Sequence, residues 1–163
     1  MISASESKKC CGCTACKEIC PVSAINMKCD IEGFSYPFVD NDKCIDCGLC
    51  EKVCPAIETP EFNNKPKAYA IQLKDDETLD KSQSGGGYWA IAKKILEDGG
   101  IVYGAGYDDN LKVVHKRAET IEQAHEFHGS KYVQSDIDGI LKKVKEDLND
   151  GKKVLFSGTA CHI

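Results

Sequence analysis

Cys10-Cys-Gly-Cys13-Thr-Ala-Cys16-Lys-Glu-Ile-Cys20-Pro21 and Cys44-Ile-Asp-Cys47-Gly-Leu-Cys50-Glu-Lys-Val-Cys54-Pro55 are the two stretches on which the reading of this chain turns. Each sets four cysteines in the order C-x2-C-x2-C-x3-C and follows the last with proline, so the second is an internal copy of the first. The 163 residues contain 11 cysteines, and outside the segment from Cys10 to Cys54 only Cys161 remains. An odd count, with no apolar stretch between Met1 and Lys9 of the kind that opens a secreted chain, points to metal ligation rather than disulfides. A hydrophobic fraction of 42% with 29% charged residues fits a globular chain. No apolar run approaches the roughly 18 residues that cross a bilayer. The expectation is a cytoplasmic protein without membrane insertion. Net charge is −5, from 26 acidic and 21 basic residues, and no basic run stands out, so nucleic acid is not an expected partner.

Spacing selects the metal. Thiolates at i, i+3 and i+6 on a tight loop can seat three corners of an iron-sulfur cubane, and in this motif the fourth cysteine ligates the other cluster. Cys10, Cys13, Cys16 and Cys54 are therefore expected to hold one 4Fe-4S cluster, and Cys44, Cys47, Cys50 and Cys20 the second. Structural zinc is the alternative, but zinc sites separate their C-x2-C pairs by a dozen or more residues, whereas here four thiols crowd together twice with proline in register. Residues 5–58 resemble the bacterial two-cluster ferredoxins. A segment this small buries little apolar surface, so its clusters should act as staples. Gly12, Thr14, Ala15 and Gly48 are small neighbours that let backbone N–H groups reach the sulfurs. Cys11 and Cys29 fall off the ligand register and read as bystander thiols. Ile31 to Asp40 alternates apolar residues with turn formers, as a short hairpin over one cluster would.

After Ile57 the composition changes. Thr59 to Lys67 reads as a linker, and residues 68–163 alternate strand and helix: strands at Ala68–Leu73, Ile101–Tyr103, Val113–Lys116 and Lys153–Phe156, helices at Tyr88–Leu96 and Ile137–Leu148. The fold class expected is α+β, with a small ferredoxin-like domain over 1–58, a linker over 59–67 and an incomplete α/β domain over 68–163. The histidines, His115, His125, His128 and His162, read as surface residues, because none sits in a pattern such as H-E-x-x-H. Lys142, Lys143 and Lys145 alternate with acids as on a solvated helix face.

Two glycine-bearing loops complete the pattern. Ser82-Gln-Ser84-Gly85-Gly86-Gly87 precedes a helix, where free N–H groups can hold an anion, and Gly129-Ser130-Lys131-Tyr132-Val-Gln-Ser135 offers hydroxyls and a cation. Neither fits G-x-G-x-x-G or a P-loop. The order of two ferredoxin runs, Lys81 to Gly86, Gly129 to Ser135 and Val154-Leu-Phe-Ser-Gly-Thr159 resembles the coenzyme F420 hydrogenase/dehydrogenase beta-subunit family. That resemblance implies FAD beside the two 4Fe-4S clusters, with single electrons from the clusters paired on the flavin for hydride transfer to a deazaflavin or similar acceptor. It also implies a redox partner protein or subunit, and candidate flavin contacts at Ser84, Gly85, Gly86, Gly87, Ser130, Lys131 and Tyr132. No catalytic residue is assigned. The family's Gly-Thr-Pro-Cys-Gln stands here as Gly158-Thr159-Ala160-Cys161-His162, which puts Cys161 against the flavin, on iron or simply at a buried strand end. The family continues beyond this motif, so the chain is expected to be a truncated member. The alternative function is a non-catalytic ferredoxin-type carrier or docking module, such as a member associated with polysaccharide synthesis.

Overall fold

In both cysteine runs the backbone turns left-handed just before the helix that carries the third cysteine, and this repeated step organises the first part of the chain. A computed structural model describes residues 2, 9–57 and 65–162. The chain divides into two compact units, Met1–Asn63 with Thr159–Ile163, and Asn64–Gly158. Residues 159–162, assigned to the second domain from the sequence, thus group with the first unit. Most of the linker expected over residues 59–67 lies outside the described residues, while 65–67 are exposed and without regular structure.

In the first unit, α1 (Ala15–Ile19) follows Thr14 and α2 (Leu49–Lys52) follows Gly48, each preceded by a residue with positive φ. Between them β1 (Ile25–Cys29) pairs antiparallel with β2 (Ser35–Val39), from Ile25 opposite Val39 to Cys29 opposite Ser35. The hairpin expected within Ile31–Asp40 is therefore centred earlier. Its turn is closed by the Asp30 carboxylate, which accepts from the N–H groups of Glu32 and Phe34 at 2.9 and 3.0 Å, and by Gly33 at φ +89. Asp30 thus competes locally for the backbone that a strand through Ile31 would have used. Among the described residues the buried apolar side chains of this unit, cysteines aside, are Ala24, Ile25 and Pro37.

The second unit is a three-stranded sheet between helical layers. The strand order is β4-β3-β5, with β3 (Ile101–Tyr107) antiparallel to β4 (Val113–Ala118) and parallel to β5 (Val154–Phe156). The short helix α3 (Asp76–Asp80) starts where Asp75 accepts from the Thr78 N–H. α4 (Gly87–Glu97) ends where Gly99 turns left-handed at φ +75, and α5 (Ile121–Ala124) and α6 (Ile140–Asn149) follow. Side chains alternate along β3. Val102 packs with Trp89, Ala92, Leu96 and Phe127, whereas Ile101 and Tyr103 pack with Ile137 and Ile140. Gly104 permits the first layer, since a Cβ there would lie 2.7 Å from the Phe127 ring.

Ala68–Leu73 does not form the expected strand. Its backbone is joined to the glycine loop by one bond, from the Leu73 N–H to the Gly85 carbonyl at 2.9 Å, and Tyr69 and Ile71 remain exposed. Among the described residues no strand pairs with it. No helix among the described residues is long and apolar enough to cross a membrane.

Candidate metal centres

The left-handed steps bracket the middle cysteine of each run. Gly12 and Thr14 flank Cys13 at φ +66 and +61, and Asp46 and Gly48 flank Cys47 at φ +51 and +73. Two chain segments of different sequence thus adopt one loop conformation, although two of the four positions carry side chains that disfavour it. Such turns direct successive N–H groups toward one point and make anion-binding concavities, iron-sulfur sites among them.

Sulfurs gather on the concave side. One hollow is lined by Cys10, Cys13, Cys16 and Cys54, with Cys11 at its wall as well, and a second by Cys44, Cys47, Cys50 and Cys20. Each run therefore contributes its fourth cysteine to the hollow of the other. The hairpin floors both. The cross-strand pair Met27 and Pro37 lies on the first hollow and the pair Ile25 and Val39 on the second, whereas a cover over one cluster was expected. Among the described residues no three His, Cys, Asp or Glu side chains converge on a single-ion site.

The donor set suits a cation-rich cluster. N–H groups point at sulfur from Gly12 to Cys10 at 3.4 Å and from Ala24 to Cys20 at 3.2 Å, and those of Ala15 and Lys17 donate to Cys13 and Cys16. Burial, reinforced by the neighbouring Cys13 sulfur, pushes the Cys16 thiol up to about 12, and burial raises Cys13 as well. Bare thiolates in such a hollow oppose one another. Iron reverses that balance, because a bound cation favours the deprotonated ligand.

Off the ligand register, Cys11 lines the first hollow and Cys161 neighbours Cys11. Cys11, exposed as a residue, is pushed up to about 12 by burial of its sulfur, by the Cys13 sulfur and by donation of its S–H to Cys161. Cys161 is half-buried, with the Thr159 hydroxyl 3.1 Å from its sulfur. Their separation in the chain left no sequence signal for this neighbourhood. Cys29 is exposed on β1, 3.5 Å from the Ser35 hydroxyl.

In the second unit the two loops named as flavin candidates are adjacent. The Gln83 side-chain oxygen accepts from the Ser130 N–H at 3.2 Å, and the His128 ring meets the Lys81 carbonyl at 3.3 Å. Ser84 and Ser130 are exposed, Tyr132 is almost fully so, and the Lys131 ammonium is turned inward to the carbonyls of Glu126 and His128, both at 2.8 Å. The glycines meet their own chain. A Cβ on Gly85 would lie 1.9 Å from the Ile71 carbonyl oxygen, one on Gly86 2.4 Å from Leu73, and one on Gly87 2.6 Å from Ile71.

His115 is a correction to the surface reading. It is 6% exposed on β4, with Nδ1 2.8 Å from the Ser135 hydroxyl and Nε2 3.0 Å from the Ser157 carbonyl. The carbonyl makes Nε2 the protonated nitrogen, and burial holds the pKa below the usual histidine value. Val113 and His115 alternate inward along the strand, a period-two signal that was available in the sequence.

No curated protein matches the chain. Residues 9–57 match the family described as the 4Fe-4S dicluster domain, and this stretch of the chain, which holds both thiol-lined hollows, is a dicluster domain of the ferredoxin type.

Proposed function

We propose that the chain is an iron-sulfur oxidoreductase subunit that passes electrons between two 4Fe-4S clusters and a flavin, for reduction of a deazaflavin such as coenzyme F420 or a similar hydride acceptor. The dicluster domain supports an iron-sulfur electron-transfer role. In this reading Cys10, Cys13, Cys16 and Cys54 hold one cluster and Cys44, Cys47, Cys50 and Cys20 the other. The observation that carries it is the sorting of eight cysteines into two hollows with the fourth members exchanged. When bound, the clusters supply one-electron transfer and the flavin pairs electrons into a hydride. The residues themselves orient the thiolates, screen them from water with the hairpin, and donate N–H groups to sulfur. Support for the flavin is the meeting of the Ser82–Gly87 and Gly129–Ser135 loops through Gln83. The redox partner is a protein or subunit that exchanges single electrons.

A second reading, a ferredoxin-type carrier without flavin, is favoured by the packing of Gly85, Gly86 and Gly87 against Ile71 and Leu73, which explains those glycines without a ligand. Anaerobically purified chain separates the two. Extracted FAD near one per chain, with deazaflavin reduction, supports the first; a full complement of iron and sulfide with no FAD retained after incubation with it leaves the carrier.

A further inference from the structure

Thr14 is at odds with its surroundings in three respects. It occupies the left-handed step that Gly48 takes in the second loop, although a β-branched side chain is strained there. It sits at the N-cap of α1, where a threonine hydroxyl ordinarily accepts from the helix, yet it makes no side-chain cap; only its carbonyl serves the helix, accepting from the N–H groups of Lys17 and Glu18 at 2.9 and 3.0 Å. The residue is 7% exposed, and Oγ1 is buried with no hydrogen-bond partner among the described residues. Thr14 also lines the hollow ringed by Cys10, Cys13, Cys16 and Cys54. A buried hydroxyl without a partner in a native chain calls for an acceptor.

We infer that the Thr14 hydroxyl donates a hydrogen bond to a sulfur of the cluster in the first hollow and raises its reduction potential above that of the second. This rests on the reading of both hollows as 4Fe-4S sites. Reduction places added negative charge on the cluster and its sulfurs, so a fixed donor stabilises the reduced form more than the oxidised one, and hydrogen bonds to sulfur are among the levers that set such potentials. Among the described residues the second hollow has no matching side-chain donor, its Cys20 sulfur taking the backbone N–H of Ala24. Gly48 has no side chain, space for a Cβ there is open, and no serine or threonine lines that hollow. Two loops with one backbone path thus differ at the atom that tunes the metal, and Thr14 determines which cluster holds the electron at equilibrium.

The test is a redox titration of the anaerobic full chain followed by EPR, with Thr14→Val, Thr14→Ser and Thr14→Gly. Valine keeps the branch and removes the donor, serine keeps the donor, and glycine removes both donor and strain, so that a foldable variant exists even if valine loads iron poorly. Two separate reduction waves are expected in the parent. Thr14→Val and Thr14→Gly should move the upper wave to lower potential and leave the other in place, while Thr14→Ser retains the parent pattern. Fully loaded Thr14→Gly with both waves unmoved overturns the inference and leaves the sites standing. A parent chain without iron and sulfide removes the sites themselves and the inference with them.

Discussion

Cys20 and Cys54 are exchanged between the two runs: Cys54 closes the hollow ringed by Cys10, Cys13 and Cys16, and Cys20 closes that of Cys44, Cys47 and Cys50. With the fourth cysteines exchanged, each site takes three thiolates from one run and one from the other, which binds the two sites into one cooperative body.

Replacing an exchanged cysteine should accordingly damage the cluster of the opposite run. Cys54→Ala is expected to lose about half of the iron and sulfide, and the cluster lost should be the one served by Cys10, Cys13 and Cys16. EPR of the reduced protein would show the magnetic coupling between two clusters replaced by the signal of one. Loss of the Cys44–Cys50 cluster instead would contradict the exchange.

Removing iron should unfold the first unit. Burying a side chain such as Ile25 contributes about 1.5–3 kcal/mol, while each ordered residue costs about 1–2 kcal/mol in backbone entropy alone. Ala24, Ile25 and Pro37 cannot offset that over the length of this segment. Chelation or Cys47→Ala should therefore abolish hydrogen-exchange protection of the Asp40 amide, which donates to the Ala24 carbonyl at 2.8 Å. Trp89, the single tryptophan, lies in the second unit and should keep its fluorescence. A metal-free chain with Asp40 still protected would show that the clusters are not staples.

Asp147 anchors α6 to the sheet. Its carboxylate, 8% exposed, accepts from the Arg117 guanidinium at 2.6 and 2.8 Å and from the Tyr103 hydroxyl at 2.6 Å. Arg117 foremost, then Tyr103 and Lys152, hold its pKa well below the usual carboxylate range against the opposing effect of burial. A depressed folded value means that this stabilisation is complete above the unfolded pKa, about 3.9, and is lost as pH falls through the lower folded value. Asp147→Asn should cost the second unit about 1.5–3 kcal/mol at neutral pH, because it removes the charge from the hydrogen bonds to Arg117, which keeps Glu119 at 2.7 Å as its remaining partner. Urea unfolding read by Trp89 fluorescence measures this, and the variant should also show a flatter stability profile below pH 4. An unchanged midpoint would mean that the Arg117–Asp147 pair contributes nothing.

Gly85→Ala tests the close approach of the glycine loop. The added methyl would meet the Ile71 carbonyl, a backbone atom with little freedom to yield. A loss of about 1–3 kcal/mol is expected, with faster exchange at the Leu73 amide that donates to Gly85. Retained stability and protection would show that residues 71–73 adapt freely.

Cysteine spacing made the first unit readable because its information is local: thiols at i, i+3 and i+6 demand a tight loop wherever they occur. α4 and α6 were legible for the same reason, through periodic apolar faces, and the start of β3 as the short apolar run Ile101–Tyr103 after Gly99-Gly100, buried throughout in the structure. What escaped depends on contacts distant in sequence. Ala68–Leu73 reads as a strand but has no strand beside it among the described residues. Cys11 and Cys161 lie at opposite ends of the chain. Thr14 looked like any small loop residue until it was superposed on Gly48, and that comparison was already available once the two runs were aligned.

The central claim is that eight thiolates hold two cubanes, and quantification of iron and acid-labile sulfide in anaerobically purified protein tests it most directly. About eight iron atoms and eight sulfides per chain are expected, four of each for every cubane. Stoichiometric zinc without sulfide, or disulfides joining Cys10, Cys13, Cys16 and Cys54, would contradict it.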